Sequence, residues 1–183
     1  MTPKVLAAAS CVLTVVDVQG RLAELMWHRE SLFRELGRLI QGCRLLQVPV
    51  LWLEQVPEKL GPTAPEIREA LEGCRPISKS TFSGFGCEEF RRELAKTGRT
   101  TLILAGIEAH VCVYQTALDA LAESYRVEIV GDAVSSRTES NLRFALRRLR
   151  DAGAGVTSTE MLLFELQRVA EGDTFRSLSR LVK

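Results

Sequence analysis

The chain has 183 residues, 46% of them hydrophobic and 26% charged. That is the balance of a globular protein with one sizeable core, in a length too short for two ordinary domains. Its 24 Lys and Arg against 23 Asp and Glu leave a net charge of +1, so no strong field draws nucleic acid, a membrane surface or polyanions.

The elements follow in chain order. The run VLAAASCVLTVV at 5–16 has the apolar, small-residue look of a secretion signal. Its β-branched residues gather at the end and lead straight into Asp17, which predicts a buried central strand instead. At 12 residues the run is too short to span a bilayer. Leu36, Leu39, Ile40 and Cys43 repeat at helical spacing, and a second strand is predicted at 48–53. The stretch 54–86 is different. It holds Pro57, Gly61, Pro62, Pro65, Pro76 and Gly84, with one short helical piece at 65–71, and reads as a long functional or mobile excursion.

Beyond it come a strand at 101–104, a helix carrying Tyr114, Ala117, Leu118 and Leu121, and a strand at 127–130. A third helix carries Leu142, Ala145, Leu146 and Leu149, with Ser136, Arg137, Thr138 and Glu139 resembling a capping box at its start, and a weaker strand lies at 155–157. In the C-terminal segment, Met161, Leu162, Leu163, Phe164 and Leu166 fit either core burial or a subunit interface. Continuous rather than alternating hydrophobicity marks strands covered on both faces. The alternation of strands and helices predicts an α/β protein of a single domain over 1–183. Its architecture is a three-layer α/β/α sandwich, Rossmann-like, around a mostly parallel sheet of about six strands.

In such sheets ligands sit beyond the carboxyl ends of the strands. Asp17, the turn at 106–112 and the start of the 54–86 excursion all fall on that edge. Cys112 lies in the first turn of a predicted helix, where unpaired N–H groups favour a thiolate, although a plain buried cysteine is the default reading. Asp17 is either a hydrogen-bonded strand terminus or a site residue. Lys79, in RPISKSTFSGF, has the default of a solvated loop lysine. The five cysteines, Cys11, Cys43, Cys74, Cys87 and Cys112, are odd in number, widely spaced and without a C-x-x-C. They predict no disulfide framework and a reducing intracellular compartment, the cytoplasm before the mitochondrion.

VVDVQ at 15–19, ISKSTFSGF at 77–85 and GIEAHVCV at 106–113 resemble the three motifs of the isochorismatase-like cysteine hydrolases. EQVPEKLGPT at 54–63 and DAVSSR at 132–137 resemble the small single-domain branch of that superfamily. The resemblance implies a triad of Asp17 as general base, Lys79 as the positive charge that lowers the Cys112 pKa, and Cys112 as nucleophile on the carbonyl of a small amide or ester. It also implies a cis peptide at Ile107–Glu108 and an oxyanion hole of backbone N–H groups in the Glu108 to Cys112 turn. Gln19, Trp52, Phe82, Phe85 and His110 are pocket candidates, with core packing the alternative for Trp52 and an interface the alternative for His110.

Relatives that hydrolyse nicotinamide carry histidines of a metal site between the first two motifs. Here the only histidine in that interval is His28, so no metal and no cofactor are expected, and neither is nicotinamidase activity. Isochorismatases proper lack the cysteine and act on a vinyl ether, so Cys112 favours acyl chemistry. The expected partners are a small-molecule substrate and other copies of the chain, as a homo-oligomer. Two alternatives stand: nucleic-acid processing, supported by Arg143, Arg147, Arg148 and Arg150 and by ribonuclease-labelled relatives, and a non-catalytic oligomeric module that retains the triad.

Overall fold

A computed structural model describes residues 5–183. Six strands form one sheet, all neighbouring pairs parallel, in the order β3-β2-β1-β4-β5-β6. The strands are β1 (Cys11–Val16), β2 (Val50–Gln55), β3 (Pro76–Lys79), β4 (Thr101–Ile107), β5 (Arg126–Ser135) and β6 (Gly155–Thr157). Every residue of β1 and of β4 is buried, as central parallel strands covered on both faces must be. This is the Rossmann-like α/β/α sandwich that the alternating pattern predicts.

Helices cover both faces, the first of them the short α1 (Gly20–Glu24), and the core divides accordingly. On one side α2 (Arg29–Leu45), α4 (Pro65–Ala70), α8 (Thr159–Gln167) and α9 (Gly172–Leu181) pack on Leu13, Val15 and Ile103. On the other side α5 (Glu88–Lys96), α6 (Tyr114–Ala122) and α7 (Glu139–Asp151) pack on Val12, Val16, Leu102 and Leu104. Leu36, Leu39, Ile40 and Cys43 of α2 are fully buried, as their spacing requires. In the C-terminal segment Leu162, Leu163 and Leu166 join the core and Met161 remains exposed, so core burial accounts for most of that apolar run.

Three local readings change. The excursion at 54–86 has its expected helical piece as α4, and it also contains an unexpected strand, β3, and the short helix α3 (Pro57–Leu60). A four-residue edge strand that begins with proline carries too little periodicity to be seen in the sequence. The cap of α7 is Thr138, whose hydroxyl accepts from the Asn141 N–H at 3.2 Å, rather than Ser136. Ser136 is still in extended chain following β5, fully buried. On α6 the fully buried positions are Thr116, Ala117 and Ala120, while Tyr114, Leu118 and Leu121 sit half-buried at the margins. Small side chains let this helix approach the sheet closely.

The strand order reverses between β1 and β4, which leads β2 and β3 away on one side and β5 and β6 on the other. A crevice at the carboxyl ends of β1 and β4 is the usual ligand position in this topology. Gly106, near the end of β4, has φ +112°, and a Cβ there would lie 2.1 Å from the Val16 carbonyl oxygen. Only glycine lets the two central strands approach this closely at the crevice. Gly106→Ala is expected to lose roughly 3 kcal/mol of stability or more, measured as a lowered urea midpoint. A midpoint equal to the parent's would show that the strand ends are free to separate.

Candidate active site

The site is built from the ends of β1, β3 and β4. Asp17 follows β1 with a left-handed φ of 51°, and its N–H donates to the Leu53 carbonyl at 3.1 Å. It is 2% exposed. Lys79 is the last residue of β3, paired in register with Gln55 of β2. Two strand spacings separate β3 from β1, roughly 10 Å, a gap that takes a side chain as long as lysine to cross. The Lys79 ammonium lies 2.6 Å from Asp17 Oδ2, and the Lys79 side chain is fully buried. It also donates to Gln55 Oε1 at 2.7 Å and to the Thr81 carbonyl at 3.2 Å. All three ammonium protons are therefore committed. The default of a solvated loop lysine does not describe this residue.

The peptide joining Ile107 to Glu108 is cis. A single π turn, Ala109–Val113, follows it and leads into α6. The N–H groups of Val111 and Val113 both donate to the Glu108 carbonyl, at 3.0 and 3.2 Å. Cys112 sits in this turn, 8% exposed, close enough to Asp17 and Lys79 that each influences its protonation. Asp17 Oδ1 is buried and has no hydrogen-bond partner among the described residues.

The electrostatics correct one expectation. Burial pushes the Cys112 thiol from 9.0 up to about 12; the Asp17 carboxylate adds to the rise and Lys79 opposes it. The lysine does pull the pKa down, but desolvation and the carboxylate outweigh it, so the resting group is a thiol rather than a preformed thiolate. Burial likewise raises the Asp17 carboxyl above its ordinary value, against the pull of Lys79.

The raised thiol pKa has a consequence for stability. In the unfolded chain the thiol ionises near 9.0, and in the folded chain near 12. Its contribution to stability is therefore fully present below about pH 9 and is lost as the pH rises toward about 12. Urea unfolding above about pH 9 should show the parent losing stability more steeply than Cys112→Ala. Equal slopes would mean that the thiol is not desolvated.

The pocket candidates separate. His110 holds Ser136 Oγ through Nδ1 at 2.9 Å and does not pair with Cys112. Glu108 is buried and held by Arg137, its carboxylate accepting from Arg137 Nε at 3.0 Å and from the Arg137 N–H at 3.2 Å. Phe82 is 55% exposed, while Phe85 is buried edge-on against Phe90 and Tyr125 in the same core layer as Cys112. Trp52 follows its core-packing alternative and not the pocket reading: it packs in the layer on the opposite face of the sheet from Cys112, and its indole N–H donates to Thr63 Oγ1 at 2.8 Å. Gln19 is a correction. It is fully buried and every polar group of its side chain is bonded to main chain, so it offers nothing to a substrate. The sequence reading assigned no role to Gln55, or to Glu54, a buried carboxylate satisfied by the N–H and hydroxyl of Thr63 at 2.8 and 2.7 Å. Both lie in EQVPEKLGPT, where an acid and an amide ending a strand were the available signal.

Among the described residues no three His, Cys, Asp or Glu side chains cluster as metal ligands do, and no helix is long and apolar enough to cross a membrane.

A parallel sheet of this order, with an acid after the first strand and a cysteine after the fourth, defines a doubly wound α/β protein whose candidate site lies at the strand ends. The sequence model of the isochorismatase domain matches residues 11–161. The chain belongs to the isochorismatase family of hydrolases. It is 36% identical over 178 residues to isochorismatase domain-containing protein 2 of Danio rerio, covering 97% of this chain and 89% of that one. It is 38% identical over 179 residues to the secreted isochorismatase effector Isc1 of Phytophthora sojae, covering 95% of this chain and 85% of that one. With a relative described as secreted, the family supplies no support for a cytoplasmic location. The solved structure of the MAR1 ribonuclease from Caenorhabditis elegans superposes with a TM-score of 0.91 at 32% identity, covering 98% of this chain and 92% of that one.

Proposed function

We propose that this chain is a cysteine hydrolase of small amides or esters. The observation that carries the reading is the meeting of Asp17, Lys79 and Cys112 from three strand ends at the topological switch point, with one Asp17 oxygen held by Lys79 at 2.6 Å, the other given no nitrogen or oxygen donor among the described residues, and the Cys112 thiol beside the carboxyl. That free oxygen is the acceptor for the thiol proton. Because the thiol rests protonated, proton transfer to Asp17 accompanies attack of Sγ on the carbonyl carbon.

The new C–S bond gives a tetrahedral oxyanion. It falls to the Cys112 N–H and the preceding N–H groups of the turn, since those of Val111 and Val113 are already bonded to Glu108. The C–N or C–O bond then breaks, and Asp17 returns its proton to the departing amine or alcohol. Water, deprotonated by Asp17, adds to the thioester; the acid leaves and Cys112 recovers its proton. Lys79 holds the Asp17 carboxyl in place throughout and favours its ionised form between the proton transfers.

The ribonuclease named for the C. elegans relative would require phosphodiester chemistry. A buried thiol beside a carboxylate and an ammonium suits acyl transfer better. The exposed arginines of α7 have the plain role of a solvated face, Arg148 lying over Tyr114 at 5.3 Å. The test is mass spectrometry of the intact chain incubated with a panel of small amides and esters. An acyl adduct that maps to Cys112 supports the reading. Turnover without a Cys112 adduct, undiminished in Cys112→Ala, overturns it.

A further inference from the structure

Gln19 is the one pocket candidate whose side chain is wholly enclosed, and its bonds lead to the site by a different route. Its amide N–H groups donate to the Gln55 carbonyl at 3.2 Å and to the Gly61 carbonyl at 2.8 Å. Its Oε1 accepts from the Gln55 N–H at 2.6 Å. Both main-chain polar groups of Gln55 are thus held by one side chain, two residues beyond Asp17. The Gln55 side chain in turn accepts from Lys79 Nζ at 2.7 Å and donates to the Ser80 carbonyl at 3.0 Å.

The surrounding main chain repeats the link. Gly20 N–H donates to the Pro62 carbonyl at 3.1 Å, and Ala64 N–H donates to the Val18 carbonyl at 2.9 Å. A Cβ on Gly20 would lie 2.0 Å from the Leu60 carbonyl oxygen. The segment bearing the acid and the loop leaving β2 are therefore fastened side by side, with Gln19 at the centre.

We infer that Gln19 is a positioning residue: it clamps Gln55, and through the Gln55 side chain it fixes the Lys79 ammonium against Asp17. The inference rests on the cysteine-hydrolase reading. The Gln19 side chain is fully buried with its polar groups bonded to main chain, so it reaches the site through Gln55 and the lysine. The groups that face Asp17 are Lys79 from β3, Glu54 from β2 and Cys112 from the π turn. A loosened lysine leaves the carboxylate with the other two.

The test uses the full chain with Gln19→Met, Gln55→Met and the double variant, assayed with 4-nitrophenyl acetate. Each single variant should lower kcat by up to about 100-fold, the cost of misplacing a catalytic group by an ångström, with KM little changed. Each should also move the acid limb of the kcat/KM profile to higher pH, because Asp17 loses its counter-charge. The double variant should be no worse than the poorer single, since both changes break one link.

A Gln19→Met chain that melts earlier but keeps the parent kcat and acid limb would overturn the inference and leave Gln19 a fold strut. Additive losses in the double variant would overturn it too. If Gln19→Met does not fold, Gln55→Met carries the test: an unshifted acid limb there breaks the link to Lys79. The parent and Cys112→Ala serve as controls. Equal turnover in those two removes the hydrolase reading and this inference together, whereas Cys112-dependent turnover with an unaffected Gln19→Met removes the inference alone.

Discussion

Cys112→Ala is expected to lower turnover of a small activated ester by about 10⁴-fold or more, toward the residual rate left by binding and backbone donors alone. The loss should come with little change in folding at neutral pH. The removed atom is a single sulfur on a side chain that retains some solvent contact, at 8% exposed, so the packing cost is about 1 kcal/mol. Cys112→Ser should be nearly as inactive, because a hydroxyl needs a stronger base than a carboxylate to lose its proton.

The protonation state separates this site from one with a ready-made thiolate. With the thiol pushed up to about 12, alkylation by iodoacetamide near neutral pH should be slow, slower than that of an unperturbed cysteine. It should quicken only on the alkaline side, opposite to what a Cys112 pKa lowered by Lys79 would give. Rapid alkylation at neutral pH that requires Lys79 would restore the preformed thiolate. Slow alkylation together with fast, Cys112-dependent ester turnover would show that the proton leaves only as the substrate is attacked.

Lys79→Met is expected to be costly in a different way. The Lys79 side chain has no solvent exposure and Asp17 has 2%. Removing the ammonium therefore leaves a buried carboxylate facing Glu54 and an orphaned Gln55 amide oxygen. The loss of one partner from a buried pair costs about 3–5 kcal/mol, which urea unfolding at pH 7 should register, together with loss of activity.

The sign of the pH dependence follows from Asp17. Without Lys79 its folded pKa, already raised by burial, rises further above the unfolded value. The penalty is then present at neutral pH and is relieved as the pH falls through the raised pKa, where the carboxyl accepts a proton. Lys79→Met should thus lie closer to the parent in stability in mild acid than at pH 7. Asp17→Asn combined with Lys79→Met removes both charges and should recover much of the lost stability while staying inactive. If the double variant is as unstable as Lys79→Met alone, the unpaired carboxylate is not the cause.

Much of the chain could be read without its fold, and the reasons are local. β1 and β4 are continuous apolar runs because both of their faces are covered, and the α2 stripe repeats at helical spacing because only one side of that helix meets the sheet. Such patterns are written residue by residue. The position of Asp17 after an apolar strand and of Cys112 at a strand-to-helix turn could be seen in the same way.

The sequence could not place β3, whose four residues take their strand character from pairing with β2 rather than from their own pattern. Without β3, Lys79 looked like a loop residue, when in fact it crosses the end of β2 to reach Asp17. Gln19 as a pocket candidate, and the choice between pocket and core for Trp52, were open for a related cause. Which face of a strand a side chain occupies, and whether its polar atoms are already satisfied by main chain 36 or 42 residues away, depends on long-range contacts. The protonation of Cys112 belongs to the same group. Sequence determines that a thiol, a carboxylate and an ammonium are present; only their common burial decides that desolvation outweighs the lysine and that the thiol holds its proton at rest.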